Sequence, residues 1–331
     1  MELMKHYDLQ LFAGEMNTQT TSGLSAEMKT YYGMELLENA KPQLVHNQFA
    51  ATKALPVGGG KTVEWRKFGA FDKALTPLTE GVTPDGSGIS VSYITKELAQ
   101  YGDYTTVSDM LDLTAIDDVV LEITDRHGAN MGLTLDTVTR NEIVQGNQVI
   151  YAPMADGTEV TSRSQLTGEC KITGELVAKA ATQLKKMNAP KFDGKYICII
   201  HPSVAFDLRQ DESWLAAHQY AAATELFSGE IGELHGVRFV ETTEAKIFNE
   251  GKDNCAVYAC LFLGKGAYGV VDLSEGTEVI VKPRGSSGTA DPLDQRSSVG
   301  WKGVHAAAIL YDEYIVRVEC GSSYSDTDKA N

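Results

Sequence analysis

Two β-like runs joined by a turn-rich stretch constrain this chain more than any other feature. KTVEWRKF, Lys61 to Phe68, alternates as a strand does, with Val63, Trp65 and Lys67 on one side. VSYITKELAQYGDYTTVS, Val91 to Ser108, comes back after the Gly-, Pro- and Asp-rich stretch TPLTEGVTPDGSGIS. Together they make an extended hairpin. A hairpin of this length cannot bury both faces against its own domain. It must be covered by something, or be an arm that reaches a partner.

The approach to the hairpin, PVGGGKT, ends as a nucleotide-binding P-loop ends. That loop needs a glycine five residues before the Gly-Lys-Thr, and a helix after it whose N-terminus faces the phosphates. Position 55 is Leu, Pro56 removes a backbone donor, and VEWRKF is a strand. The stretch is a glycine hinge into a β arm. GKGAYG, Gly264 to Gly269, matches GxGxxG but is followed by VVDL, so it reads as strand, glycine turn, strand.

After the hairpin comes the strongest helical signal, from Ala115 to Gly146. Val120, Ile123, His127, Met131, Leu135 and Val138 recur at spacings of three and four. The opposite face carries Asp117, Asp118, Glu122, Asp125, Asp136 and Glu142 against Arg126 and Arg140. Gly128 and Gly132 fall inside the helix and invite a bend. His127 reads as a packed core histidine, with no second His or Cys one turn away.

Residues 173–320 alternate between helix and strand. Thr173 is an N-cap, with Glu175 at the positive helix end and Lys185 and Lys186 at the negative one. KYICII is a buried strand, closed by His201-Pro202 and a helix through SVAFDLRQD. GVRFVET, NCAVYACLFLG, AYGVVDL, TEVIVKP and HAAAILYDEYIVRVE are further strand-like runs, the last with a turn at Tyr311-Asp312. At the other end, residues 14–25 read as a flexible arm and 26–40 as a short helix.

The five cysteines form no CxxC pair and read as reduced thiols, with Cys198 and Cys260 small buried side chains. No GxSxG or HExxH motif occurs, and His201, His218 and His235 lack ligand spacing, so no catalytic, cofactor-binding or metal residue is assigned. Net charge is −16, which argues against a basic-patch nucleic-acid binder. The longest apolar run, Cys255 to Leu263, is far short of the roughly 20 residues that span a membrane. The first residues are too polar for a secretory signal.

The succession of N-terminal arm, hairpin, long helix, α/β lobe and returning strands resembles the major capsid protein of tailed bacteriophages, with its α+β Hong Kong 97-type fold. NTQTTSGLSAEMKTYYGMELLENAKPQLVHNQFA, PVGGGKTVEWRKF, ALTPLTEGVTPDG, DDVVLEITDRHGANMGLTLDTVTRNEIV and RSSVGWKGVHAAAILYDEYIVRVE are similar to the family named after the coliphage N-four coat protein. The resemblance implies an N-arm over residues 1–50 and an extended loop over 61–108. It implies a peripheral domain with a spine helix over 109–150 and 277–325, and an axial domain over 151–276. It further implies a non-enzymatic subunit without cofactors that forms hexamers and pentamers of an icosahedral shell. That shell would enclose double-stranded DNA without sequence-specific binding, with portal and scaffolding or decoration proteins as partners and no membrane. The location implied is the virion, assembled in the host bacterial cytoplasm. No motif matches the Lys–Asn cross-link of some relatives.

Two other readings stand beside it: an encapsulin-like cellular shell of the same fold holding an enzyme cargo, and a nucleotide-dependent enzyme resting on the two defective glycine motifs. In related folds the extended loop lies across a neighbouring subunit, near its spine helix. The first hairpin leg carries Lys61, Arg66, Lys67 and Lys73 against Glu64 and Asp72. Arg66 or Lys67 of one copy is therefore expected to meet the acidic face Asp117, Asp118, Glu122 and Asp125 of the next.

Overall fold

The computed structural model describes residues 44–331, apart from 55–59, 70, 72, 79, 84–85, 87, 115–118, 221–229, 273–275 and 287–290. The expected flexible arm at 14–25 and short helix at 26–40 lie outside the described residues. In chain order the first elements are β1 (Ala51–Lys53), β2 (Thr62–Phe68), β3 (Val91–Glu97), β4 (Ala99–Ser108), α1 (Asp109–Thr114) and α2 (Val119–Ile143). Then come β5 (Val149–Tyr151), α3 (Gly174–Lys186), β6 (Tyr196–Ile200), α4 (Pro202–Gln210), α5 (Glu212–Tyr220), β7 (Glu230–Leu234) and β8 (Val237–Glu241). The last are β9 (Ile247–Phe248), β10 (Val257–Leu263), β11 (Tyr268–Val271), β12 (Thr277–Lys282), β13 (Arg296–His305), β14 (Ala307–Ile309) and β15 (Ile315–Cys320).

The chain divides into two compact units. One contains Gly102–Gly128 and Glu278–Lys302; the other contains Ala129–Thr277, Gly303–Asn331 and the described residues up to Tyr101. The larger unit is built on a seven-stranded sheet of order β5-β15-β10-β6-β8-β7, with β9 on the end of β10. Its central strand β10 is the long apolar run of the sequence, and all seven of its residues are buried. A strand covered on both faces needs no polar alternation, which is why the run is continuous.

Each face of this sheet has its own core. Tyr196, Cys198 and Ile200 of β6 point to one side, with Cys260, Phe262, Val316 and Val318. There α3 lays down Leu176, Val177, Ala180, Ala181 and Leu184, one stripe of an amphipathic helix. Thr173 caps this helix as expected, accepting from Leu176 N–H at 3.3 Å. Removing Leu184, which is fully buried, would cost about 2–5 kcal/mol. Ile197 and Ile199 point to the other side and meet Phe49, Ile143, Val144, Leu261 and Ile315. His201-Pro202 opens α4 as the sequence suggests, the imidazole accepting from Ser203 N–H at 3.2 Å.

Two expectations change. The second β run does not return as one leg: β3 pairs with β2 from Phe68↔Val91 to Thr62↔Glu97, and then the chain switches sheets. β4 joins β12 and β13 in a separate three-stranded sheet. Leu98 sits at the switch, its N–H bonded to Lys61 C=O at 2.7 Å. The segment 61–108 is thus a hairpin of seven-residue legs plus a strand with other partners. The stretch RSSVGWKGVH, ahead of the expected run that begins at His305, is itself a ten-residue strand, β13.

The long helix also turns a different face inward. Its buried stripe runs through Thr124, His127, Met131, Leu135, Asp136, Thr139, Arg140 and Ile143. Val120, Ile123 and Val138, expected inside, are only half-buried. Asp136 and Arg140, expected on the solvated face, are buried. The helix runs uninterrupted through Gly128 and Gly132. Among the described residues no helix is long and apolar enough to cross a membrane.

Candidate assembly surfaces

The arm begins at a hinge and a root. Gly60 holds φ +97°, a conformation side chains rarely adopt, and a strand follows it directly. A strand rather than a helix N-terminus follows, and the rest of the expected hinge, residues 55–59, lies outside the described residues. GKGAYG likewise opens into β11, a strand. From the hinge, β2 turns Val63 and Trp65 inward onto Val271, Ala306 and Ala308, with Ile94, Leu98 and Leu310 at the margin. Trp65 lies so close over β11 that a Cβ on Gly269 would come within 2.6 Å of its Nε1. Lys96 Nζ reaches Glu142 Oε1 at 2.7 Å, and Lys53 Nζ donates to Glu64 C=O.

Beyond the root the character of the surface reverses. Phe68, Phe71, Leu75, Leu78, Val82 and Ile89 are each more than half exposed, and Tyr93 joins them on β3. Isolated exposed apolar groups are ordinary, but this many in one segment of an acidic protein marks a surface meant to be covered.

The charged residues expected to join neighbouring copies are scattered over local partners. Arg66 bonds Glu64 at 3.3 Å on its own strand and lies near the ring of Tyr93. Lys67 Nζ sits 4.3 Å over the ring of Tyr311. Glu122 is held by Arg126 one turn along the helix, 2.7 Å away. Asp125, half-buried, is on the same helix, and Asp117 and Asp118 lie outside the described residues.

No local sequence pattern announces the polar anchor at the end of the N-terminal region. Asp136 is fully buried, and its Oδ1 accepts from the backbone N–H groups of His46 (2.7 Å) and Asn47 (3.3 Å). Its Oδ2 takes His46 Nδ1 at 2.6 Å, which fixes the ring hydrogen on Nδ1 and leaves Nε2 without a partner among the described residues. One turn on, Thr139 Oγ1 donates to Asn47 Oδ1 and lies 2.8 Å from His305 Nε2. With that hydroxyl proton committed, His305 carries its own hydrogen on Nε2 and donates to Thr139. Tyr268 Oη donates to His46 C=O. Burial holds the His305 imidazole down to about 4, against the opposing pull of the Asp136 charge, and pushes the Tyr268 phenol well up. Arg140, also buried, reaches Glu244 C=O at 2.7 Å, and burial lowers its guanidinium. These contacts fasten one turn of chain to the helix and the returning strand.

His127, as expected, is a packed histidine, 3.1 Å from Thr105 Oγ1. All five cysteines are free thiols, with Cys198 and Cys260 fully buried. Among the described residues no three His, Cys, Asp or Glu side chains are placed to hold a metal.

A rooted arm with an apolar end suits a subunit that is completed by its neighbours, and comparison with known proteins agrees. Residues 93–318, more than half of the chain, match the family model described as phage capsid protein. The chain belongs to that family. It is a structural, non-enzymatic major capsid protein of the kind that forms an icosahedral shell, with the Hong Kong 97-type fold. Among solved structures, the capsid of Ralstonia phage GP4 is similar at TM-score 0.66 and 13% identity, over 86% of this chain and 89% of that one. The capsid of cyanophage Pam1 is similar at 0.61 and 11%, over 98% and 100%. The virus-like particle of Pyrococcus furiosus is similar at 0.52 and 12%, over 88% and 99%. At such identities these likenesses speak for the fold alone. No curated protein matches the chain.

Proposed function

We propose that the hairpin end, residues 68–93, is the part of the capsid protein that lies on a neighbouring copy. One observation carries this reading: the root is packed into its own subunit through Val63 and Trp65, while the apolar end has no cover among the described residues. The area a stable interface needs, roughly 800 Å² per partner, is within reach of a segment of this length. Replacing Phe71, Leu75 and Leu78 by Ser should leave the subunit folded and abolish shell formation, read by electron microscopy and light scattering. Normal shells from that variant would reject the reading.

The charged contact belongs to the same proposal. Arg66 or Lys67 of one copy meets Asp117, Asp118, Glu122 or Asp125 of the next. The local pairs that Arg66 and Glu122 make are exposed, worth about 0–1 kcal/mol each, and so are easily exchanged. Arg66→Glu with Lys67→Glu should slow assembly most at low salt, and reversal at Asp118 and Glu122 should partly restore it. Unchanged assembly of the double reversal at low salt would remove the contact.

The finer roles follow the family resemblance. Residues 1–50 serve as the N-arm, 61–108 as the extended loop, 109–150 and 277–325 as the peripheral domain, and 151–276 as the axial domain. The kinship to the coliphage N-four coat protein, assembly in the host bacterial cytoplasm, and portal and scaffolding or decoration partners belong to the same reading. The enclosed cargo is double-stranded DNA; the net charge of −16 supports a container that does not grip its genome overall. The likeness to the Pyrococcus furiosus particle keeps a second reading, a shell around protein cargo. Purified particles holding nucleic acid support the first, and particles holding only a second protein support the other.

A further inference from the structure

In a strongly acidic protein, one end of the large sheet is basic. The window 185–195, KKMNAPKFDGK, carries Lys185, Lys186, Lys191 and Lys195 against a single acid, Asp193. The fold adds a fifth from a distant segment: Lys265, in the turn from β10 to β11, donates its N–H to Pro190 C=O at 2.8 Å. Backbone bonds hold the assembly in shape, Asn188 N–H to Lys185 C=O at 3.0 Å and the reciprocal pair Phe192–Lys195 at 2.8 Å. Asn188, Asp193, Gly194 and Gly266 take positive φ, which turns the chain tightly through this rim. Lys185, Lys186, Lys191 and Lys265 are exposed. Lys195 is paired with Glu233, and Lys191 lies 5.4 Å over the Tyr196 ring.

The helix end accounts for part of this. Lys185 and Lys186 close α3, where its negative pole favours cations. It does not account for Lys191 and Lys265, which come from other segments and converge on the same rim. An acidic protein partner fits poorly. Among the described residues, no large hydrophobic side chain in 185–196 or 264–266 is exposed, and protein interfaces are centred on such anchors and depleted in lysine. Flexible, strongly hydrated ammonium groups spread over a rim suit a row of phosphates.

We propose that this lysine rim makes a non-specific contact with the phosphate backbone of double-stranded DNA. The contact is local and weak, and the acidic remainder of the subunit keeps it from becoming a grip on the whole genome. This goes beyond shell formation and does not depend on the arm.

The test is DNA binding by the unassembled full-length chain, followed by anisotropy of a labelled duplex at NaCl from about 25 to 150 mM. The variant Lys186→Gln/Lys191→Gln/Lys265→Gln is compared with Lys252→Gln/Lys282→Gln/Lys329→Gln, which removes equal charge elsewhere. Thermal melts establish that both fold. Each lost phosphate contact lowers the slope of log K against log salt by about 0.9, so the rim variant should lose nearly three and the control little. Equal loss in both variants, or no loss in the rim variant, overturns the proposal. So does poly-glutamate binding the native chain more tightly than the duplex and losing that binding in the rim variant, because the partner is then an acidic polypeptide. Shell assembly of the rim variant, scored separately, reports on the capsid reading alone.

Discussion

Acid should loosen the anchor at His305, and the size of the effect follows from its surroundings. The ring is fully buried, donates to Thr139, and is held neutral down to about 4, whereas an unfolded histidine titrates near 6.5. The folded value lies below the unfolded one, so between these limits the unfolded chain binds more protons. Stability from this group is complete above about pH 6.5 and is lost as pH falls toward 4. Integration gives a loss of about 2 kcal/mol between pH 7 and 5, and about 1 kcal/mol more by pH 4. His201, lowered by burial and opposed by Asp328, adds in the same direction, so wild type alone cannot assign the effect. The perturbation is His305→Gln, whose amide can still donate to Thr139 but does not titrate. Denaturant unfolding of the unassembled chain at pH 7, 6 and 5 is followed by tryptophan fluorescence. The gap between wild type and variant should close by about 2 kcal/mol over that range. Parallel pH curves would show that burial of His305 does not disfavour its charge, and would refute the argument.

Gly269→Ala should destabilise by about 1–3 kcal/mol through the clash with Trp65, and Trp65→Phe in the same chain should recover part of it, as a double-mutant cycle would measure. Arg163→Met leaves the buried Glu319 with Arg317 as its remaining cation, so chemical denaturation should show a loss of about 2–3 kcal/mol, below that of a fully orphaned charge. Gly60→Val forces a side chain into φ +97° and should slow shell assembly, seen by light scattering. Lys61→Ala should leave calorimetric titrations with ATP and GTP as flat as the native chain's; micromolar affinity lost on substitution would reinstate a P-loop.

How much of this was legible depends on whether a residue's environment comes from its own segment. β10, α3 with its Thr173 cap, and the His201-Pro202 start of α4 were readable because burial there follows local periodicity and capping chemistry. That Val63 and Trp65 share one side of their strand was readable for the same reason. The long helix was found, but its inner face was misplaced. Asp136 looks like a solvent residue in any window; it is buried because His46 and Asn47, 90 and 89 positions away, bring N–H donors to it. Thr139 and Arg140 are buried on similar terms, their partners lying on His305 and Glu244. The switch of sheets at Leu98 was hidden too, since β3 and β4 read as one run and only the partner strands differ. The Arg163–Glu319 pair, with Arg163 3.5 Å over the Phe248 ring, joins segments 156 residues apart.

The placement of these polar contacts bears on assembly. A buried side-chain network that ties distant segments together resists partial opening, because losing one member strands the others in a dry interior. Such a network fixes geometry more than it adds stability, and geometry is what a closed shell of repeated subunits needs. In this capsid protein it stands where the chain leaves the N-terminal region, on the helix that also receives Lys96 from the arm through Glu142. The arm is thus packed at its root and, among the described residues, uncovered at its end. An error of angle at the root would be magnified along the hairpin, so root substitutions such as Trp65→Ala should produce malformed shells even where the subunit still folds. Native melting behaviour together with native shells from Trp65→Ala would separate the root from assembly and leave it an ordinary piece of core.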